Sequence, residues 1–199
     1  MSHHLANPQR FAQAIAGFDA ANAEDPHLER VEGERQPKEL AYARRMTAWL
    51  AKMAPDASEA LQLAARSQHI RRWEIPRSDY PLGREGYNQW RRALYRFHAE
   101  TAGRILRAVG YDDETIERVQ TLLQKKRLKL DPEVQLLEDV ICVVFLEHYF
   151  ADFSQQHEPE KVIDIVRKTW RKMSPQGHAA ALTLELSPAA AALVKEALK

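Results

Sequence analysis

The sequence predicts an all-α fold. Three observations carry this reading: apolar residues recur at helical spacing along most of the chain, Pro paired with Asn, Asp or Ser marks helix starts between them, and no two alternating runs offer each other a strand partner. At 199 residues the chain fits a single-domain bundle of about seven or eight helices and can bury a real core. Its expected layout is an N-terminal helix and loop over residues 1–36, a helical core over 37–175, and a C-terminal extension with a short helix over 176–199.

Asn7-Pro8 reads as a helix start, with Phe11, Ile15 and Phe18 at helical spacing behind it and an end near Asn22. Residues 24–36 are polar and aperiodic, so they read as a long loop. Pro37 suits the first position of a second helix, whose stripe is Leu40, Ala43, Met46, Trp49, Leu50 and Met53. Pro55 ends it, Asp56 is the expected cap of a third, and Ala60, Leu61, Ala64 and Ala65 carry that helix towards His69, Arg71 and Arg72. Pro76, Pro81, Gly83 and Gly86 punctuate a loop over 74–86. Tyr87, Trp90, Leu94, Phe97, Thr101, Ile105 and Val109 line a long fourth helix that stops at Gly110, and Asp112 or Asp113 caps a fifth. Asp131-Pro132 opens a sixth, apolar almost all round from Val140 to Leu146, which predicts a central helix running to about Ser154. Val162, Ile163, Val166, Trp170 and Met173 define a seventh, and Ser187-Pro188 begins a short eighth. Leu182, Leu184 and Leu186 alternate with polar residues, the pattern of a lone short strand or an extended arm.

Composition narrows the function classes. A net charge of +1 argues against a general nucleic-acid coater, so any such role would rest on a local basic patch. The longest apolar run has seven residues, too few to span a bilayer, and the N-terminal MSHHLANPQRF has no apolar signal core, which sets the expectation of a cytoplasmic protein that does not engage membranes. Cys142, the single cysteine, lies within that run and reads as a buried, inert thiol. No P-loop, dinucleotide-binding glycine motif, CxxC pair or GxSxG elbow occurs. Oligomeric state has no signature here.

Charge is unevenly placed. Between Arg66 and Arg96 eight Arg face three acids, an excess of +5, and no Lys occurs in the window. Planar guanidinium forks match phosphate or carboxylate, so Arg71, Arg72, Arg77, Arg84 and Arg91, with Trp73 among them, are candidate ligands for a small anionic or phosphorylated molecule. The rigid Trp73-Glu74-Ile75-Pro76 segment could fold back and bring Arg71, Arg72 and Arg77 to one pocket beside His69. A solvated face or pairing with acids elsewhere is the plainer account of helical arginines.

Four polar residues stand at wide intervals on successive helices: Glu39, His69, His98 and Asp139. Imidazole with carboxylate suits divalent Mn, Fe, Zn or Mg, and bundles build metal sites from facing helices. Structural alternatives stand beside this: a helix-end histidine for His69, a core-edge histidine for His98, an ion pair with an arginine for Asp139. LAARSQHI at 63–70, HAETAGRILRAVGYDDETIERV at 98–119 and LLEDVICVVFLE at 136–147 resemble HD-domain metal-dependent phosphohydrolases in the order of their elements. That resemblance implies an HD-like bundle with Glu39, His69 and Asp139 around a metal, His98 and Glu138 assisting catalysis, and a phosphorylated or nucleotide substrate. The sequence departs from the pattern where Glu39 or Tyr42 stands for the first His, Gln68-His69 for His-Asp, and Lys125 or Lys126 for a further His. The alternative is a non-catalytic module that holds an anion or nucleotide on a degenerate HD-like scaffold. Over nearly its full length, through ELAYARRM, QHIRRWEIPR, GYNQWRRALYRFHAE and LEDVICVVFLE, the chain is similar to the uncharacterised DUF4202 family, which implies no established activity.

Overall fold

The structure, a computed structural model, describes residue 5 and residues 7–199. The start of the N-terminal segment considered above for a signal core, residues 1–4 and 6, lies outside the described residues. The fold is mainly α, as expected, with one two-stranded hairpin among the described residues. The chain divides into two compact units, one ending at Arg127 and one beginning at Leu128, a boundary that falls inside the stretch expected as a 37–175 core.

The first unit opens with α1 (Pro8–Ala23), where Asn7 Oδ1 accepts from the Arg10 N–H at 3.0 Å and Pro8 takes the first helical position. Residues 24–36, expected as irregular loop, contain β1 (Leu28–Val31), which with β2 (Glu34–Pro37) forms an antiparallel hairpin in register Arg30 to Arg35. Glu32 and Gly33 both hold positive φ, 52° and 90°, as a tight hairpin turn requires. With four-residue polar strands there is no apolar alternation to betray it.

Helix α2 (Lys38–Met53) starts after Pro37, which is its cap and not its first residue. Asp25 supplies the missing side-chain cap from outside: its Oδ2 accepts from the Glu39 N–H at 3.0 Å while Oδ1 accepts from the His27 N–H at 2.9 Å. Ser58, not Asp56, caps α3 (Glu59–Ser67) by accepting from the Leu61 N–H. Helix α3 ends before His69, because the Ser67 hydroxyl bonds back to Leu63 O and the chain turns through Arg71 at φ 51°. Arg66 is locked to Asp19 of α1 through two bonds of 2.7 and 2.6 Å and to Thr47 of α2.

Two short 3-10 turns, Arg72–Glu74 and Arg77–Asp79, lead to α4 (Gly83–Ala108), which begins inside the segment expected as loop. Its first turn abuts Pro81 so closely that a Cβ at Gly86 would lie 1.9 Å from the Pro81 carbonyl oxygen. Gly110 (φ 85°) follows α4, and Asp112 caps α5 (Asp113–Leu123) through the Thr115 N–H at 2.7 Å. Phe18, Met46, Leu50, Leu61, Leu63, Leu94, Leu106 and Leu122 are among the fully buried side chains of this unit.

The second unit consists of α6 (Pro132–His148), α7 (Phe150–Gln155), α8 (Pro159–Lys172), α9 (Pro175–Ala181) and α10 (Pro188–Ala197). The helix expected to run unbroken to Ser154 is interrupted at Tyr149, whose φ and ψ of −124° and −16° leave the helical region, so that Phe150 can turn fully inward. Helix α9 is unforeseen, and the alternating leucines after it form neither strand nor ladder; Leu182 is largely exposed. Cys142 is buried, and no helix among the described residues is long and apolar enough to cross a membrane.

Candidate functional site

Within the first unit the start of α2, the turn after α3 and the middle of α4 bring Glu39, His69, Arg72 and His98 together. Glu39 sits in the first turn of α2 with its side chain 10 % exposed, and its Oε2 lies 3.2 Å from His69 Nδ1. The opposite ring nitrogen, Nε2, is 3.5 Å from Arg72 Nη1. A guanidinium only donates, so Nε2 must accept, and the hydrogen resides on Nδ1 and is donated to Glu39. Arg72 also approaches the other Glu39 oxygen, Nε to Oε1 at 3.9 Å. Tyr42, one helical turn beyond Glu39, stacks on the His69 ring with centroids 3.9 Å apart and planes within 10°.

Position and protonation follow from burial. Loss of water pushes the Glu39 carboxyl up to about 7 against the opposing pull of Arg72. Burial, followed by the positive charges of Arg72, Lys125 and Arg91, holds His69 well below the usual imidazole value. Burial likewise holds Arg72 below the ordinary guanidinium value, with Glu39 opposing. Arg72 is braced from behind: its Cζ lies 4.8 Å above the Trp90 ring, and Trp90 Nε1 donates to Ile75 O at 2.8 Å. His98 on α4 is 2 % exposed and its ring is 5.9 Å from that of His69. Its Nδ1 donates to Ile70 O at 2.9 Å, which leaves Nε2 as a bare acceptor, buried and without a hydrogen-bond partner among the described residues.

The arginines expected at one pocket divide. Only Arg72 faces the Glu39–His69 pair. Arg71 turns outward, where Glu24 and Glu74 bind its guanidinium, and Trp73 lies beneath it at 5.6 Å. Arg77, expected as an anion ligand, instead staples its own loop, donating to Tyr80 O at 2.8 Å and Pro81 O at 2.7 Å. Both carbonyls belong to its own proline-constrained turn, so these bonds carry little added ordering cost. Arg77→Ala should therefore lower stability by about 2 kcal/mol in urea denaturation, and calorimetric titration should find phosphate affinity unchanged. Arg84 is exposed near the start of α4. Arg91 donates to the hydroxyls of Tyr87 and Tyr95, and its charge is felt at His69. Lys125, one of the two lysines noted above in place of a further His, also adds charge at both histidines from a left-handed backbone at φ 53°. Only the unusual run of three positive-φ basic residues, Lys125, Arg127 and Lys129, marks this turn, and that is invisible in the sequence.

Asp139 and Glu138 belong to the second unit. Asp139 is 1 % exposed and serves the start of α9: Oδ1 accepts from the Ser174 N–H at 2.8 Å and from Gln135 Nε2 at 2.9 Å, and Oδ2 accepts from the Ser174 hydroxyl. These bonds replace the ion pair with an arginine considered above. Glu138 is buried, with Lys172 Nζ 3.9 Å away. As arranged, Glu39 and His69 bond each other, and a guanidinium occupies the approach to His69 Nε2. Among the described residues no group of three or more His, Cys, Asp or Glu is placed to hold a metal ion.

The fold and this cluster define a mainly helical protein with a part-buried carboxylate–imidazole–guanidinium constellation. The chain belongs to the DUF4202 family, a domain of unknown function whose family model matches residues 12–194. No curated protein matches the chain. No solved structure matches it either.

Proposed function

We propose that this protein is a phosphohydrolase-like enzyme on a divergent HD-like scaffold, acting on a small phosphorylated or nucleotide substrate, with Arg72 supplying positive charge where HD-domain enzymes use a metal. One observation carries this reading: the His69 ring is bracketed by Glu39 at Nδ1 and by Arg72 at Nε2. Arg72, Arg91 and Lys125 make the surroundings cationic, which favours an anion. A substrate phosphate draws Arg72 off its long 3.5 Å contact at little cost and leaves Nε2 facing the reacting atoms. His69 then takes a proton from the attacking water as the new O–P bond forms. The P–O bond to the leaving group breaks, and the same proton passes to the departing oxygen. Glu39 holds the ring in the required tautomer and stabilises the transient imidazolium, while Arg72 neutralises charge developing on the phosphoryl oxygens.

The test is a screen of the full chain against phosphate monoesters and nucleotides, reading thermal stabilisation and phosphate release. Arg72→Ala should weaken phosphate binding by a charge-assisted contact, about 1.5–3 kcal/mol. His69→Gln should bind phosphate yet lose roughly 100-fold or more in turnover. Turnover should fall as pH drops through about 7, where Glu39 takes up a proton and loses the negative charge that stabilises the imidazolium. Stabilisation by no phosphate compound defeats the reading. Binding without turnover favours the non-catalytic anion-binding module, and turnover that requires added Mn, Fe, Zn or Mg and ends with chelator favours a metal-dependent enzyme in which Arg72 withdraws from His69.

A further inference from the structure

His98 Nε2, in the same cluster, takes no part in binding the phosphate at Arg72. His98 Nε2 is a lone-pair acceptor, its tautomer fixed by the bond from Nδ1 to Ile70 O, and among the described residues it has no hydrogen-bond partner although His98 is 2 % exposed. An orphaned buried acceptor is costly and is normally met by a donor. Three kinds of donor could meet it: a proton, a cation, or a neutral O–H or N–H.

Its surroundings select among them. Burial, the neighbouring His69, Arg72 and Lys125 all oppose positive charge at this ring. Protonation and a bound cation are disfavoured on the same electrostatic ground, and a neutral donor is not. The His98 and His69 rings are 5.9 Å apart, within the span of one small ligand that also meets Arg72 beside His69.

Resting on the anion-binding reading above, we propose that the ligand of this site is a hydroxyl-bearing phosphate monoester, of the sugar- or polyol-phosphate class, whose hydroxyl donates to His98 Nε2 while its phosphate meets Arg72. His98 is then a specificity-determining residue: it rejects an alkyl phosphate of the same length, because a methylene in place of the hydroxyl leaves the buried nitrogen unpaired.

The experiment uses inorganic phosphate and three matched pairs of probes: glycerol 3-phosphate with propyl phosphate, glycerol 2-phosphate with isopropyl phosphate, and ribose 5-phosphate with pentyl phosphate. Affinity is measured by calorimetry on the full chain, and imidazole nitrogen resonances are followed on protein labelled with 15N-histidine. At least one hydroxylated ester should bind about tenfold or more tightly than its alkyl partner. That ester alone should move the His98 Nε2 resonance, and His98→Phe should erase the preference while retaining phosphate binding. The resonance is read on wild-type protein, so the test survives a variant that fails to fold. Equal binding within every pair, or binding that leaves the His98 resonance in place, overturns the proposal while the anion site stands; the latter result would assign a buried water to Nε2. Failure of inorganic phosphate and every ester to bind removes the anion site itself, and this inference with it.

Discussion

Glu39→Gln should gain stability over the wild type as pH rises from 5 to 8, by on the order of 3 kcal/mol across that range. The Glu39 carboxyl is raised from an ordinary value near 4.5 to about 7 in the folded protein, chiefly by burial. Between those values the folded state binds more protons than the unfolded chain, so this residue's contribution to stability declines with increasing pH and levels off above about 7. This is the reverse of an ion-paired surface carboxylate. Gln keeps a carbonyl oxygen for the His69 Nδ1–H and carries no charge to desolvate. His69 and His98 act in the opposite direction: both are held low, so their contributions are complete above the ordinary imidazole value and fade on acidification. They are present in both proteins, so the difference between wild type and variant isolates Glu39. Urea denaturation at intervals of half a pH unit reads it directly. A difference that stays flat with pH would show that Glu39 ionises at its ordinary value and would remove the physical basis for its role beside His69.

Asp139→Ala should destabilise the protein by about 3 kcal/mol or more, and should do so whether or not any metal is supplied. The carboxylate takes the Ser174 N–H, the Ser174 hydroxyl and the Gln135 amide. Removing it strands these donors around a small cavity. Gly177 gives an independent check of the same packing, since a Cβ there would come within 2.7 Å of the Asp139 carboxyl. Asp139 is buried and held by three bonds and cannot yield cheaply, so Gly177→Ala should cost about 1–3 kcal/mol. The two substitutions touch one contact and should combine less than additively. A metal-ligand role would instead show Asp139→Ala with near-native stability in chelator and loss of bound ion. Chemical denaturation with and without chelator separates the two outcomes.

How far each feature could be read in advance tracks how local its cause is. Asn7, Asp112, Asp131 and Ser187 each cap a helix that follows within three residues, and all four helix starts were legible for that reason. The hairpin at 28–37 was not, because its strands are short and polar and its turn depends on a positive φ at Glu32, which no side chain advertises.

At the site, residue chemistry marked Glu39, His69 and His98 as groups in search of partners, and the structure brings those three together with Arg72. Three arginines within seven positions are chemically identical in sequence. Arg72 faces Glu39 because Asn22 Oδ1 captures the Arg71 N–H and the backbone at Arg71 turns left-handed, which sends Arg71 to Glu24 and Arg72 inward. Asp139 was likewise recognisable as a buried carboxylate that needed partners, but its main partner, Ser174, lies 35 residues further on. The sequence by itself determined which side chains are costly to bury alone. Which donor or acceptor relieves each was decided by the tertiary structure, because hydrogen bonds and ion pairs act over a few ångströms of space and carry no signature of the chain length between their ends.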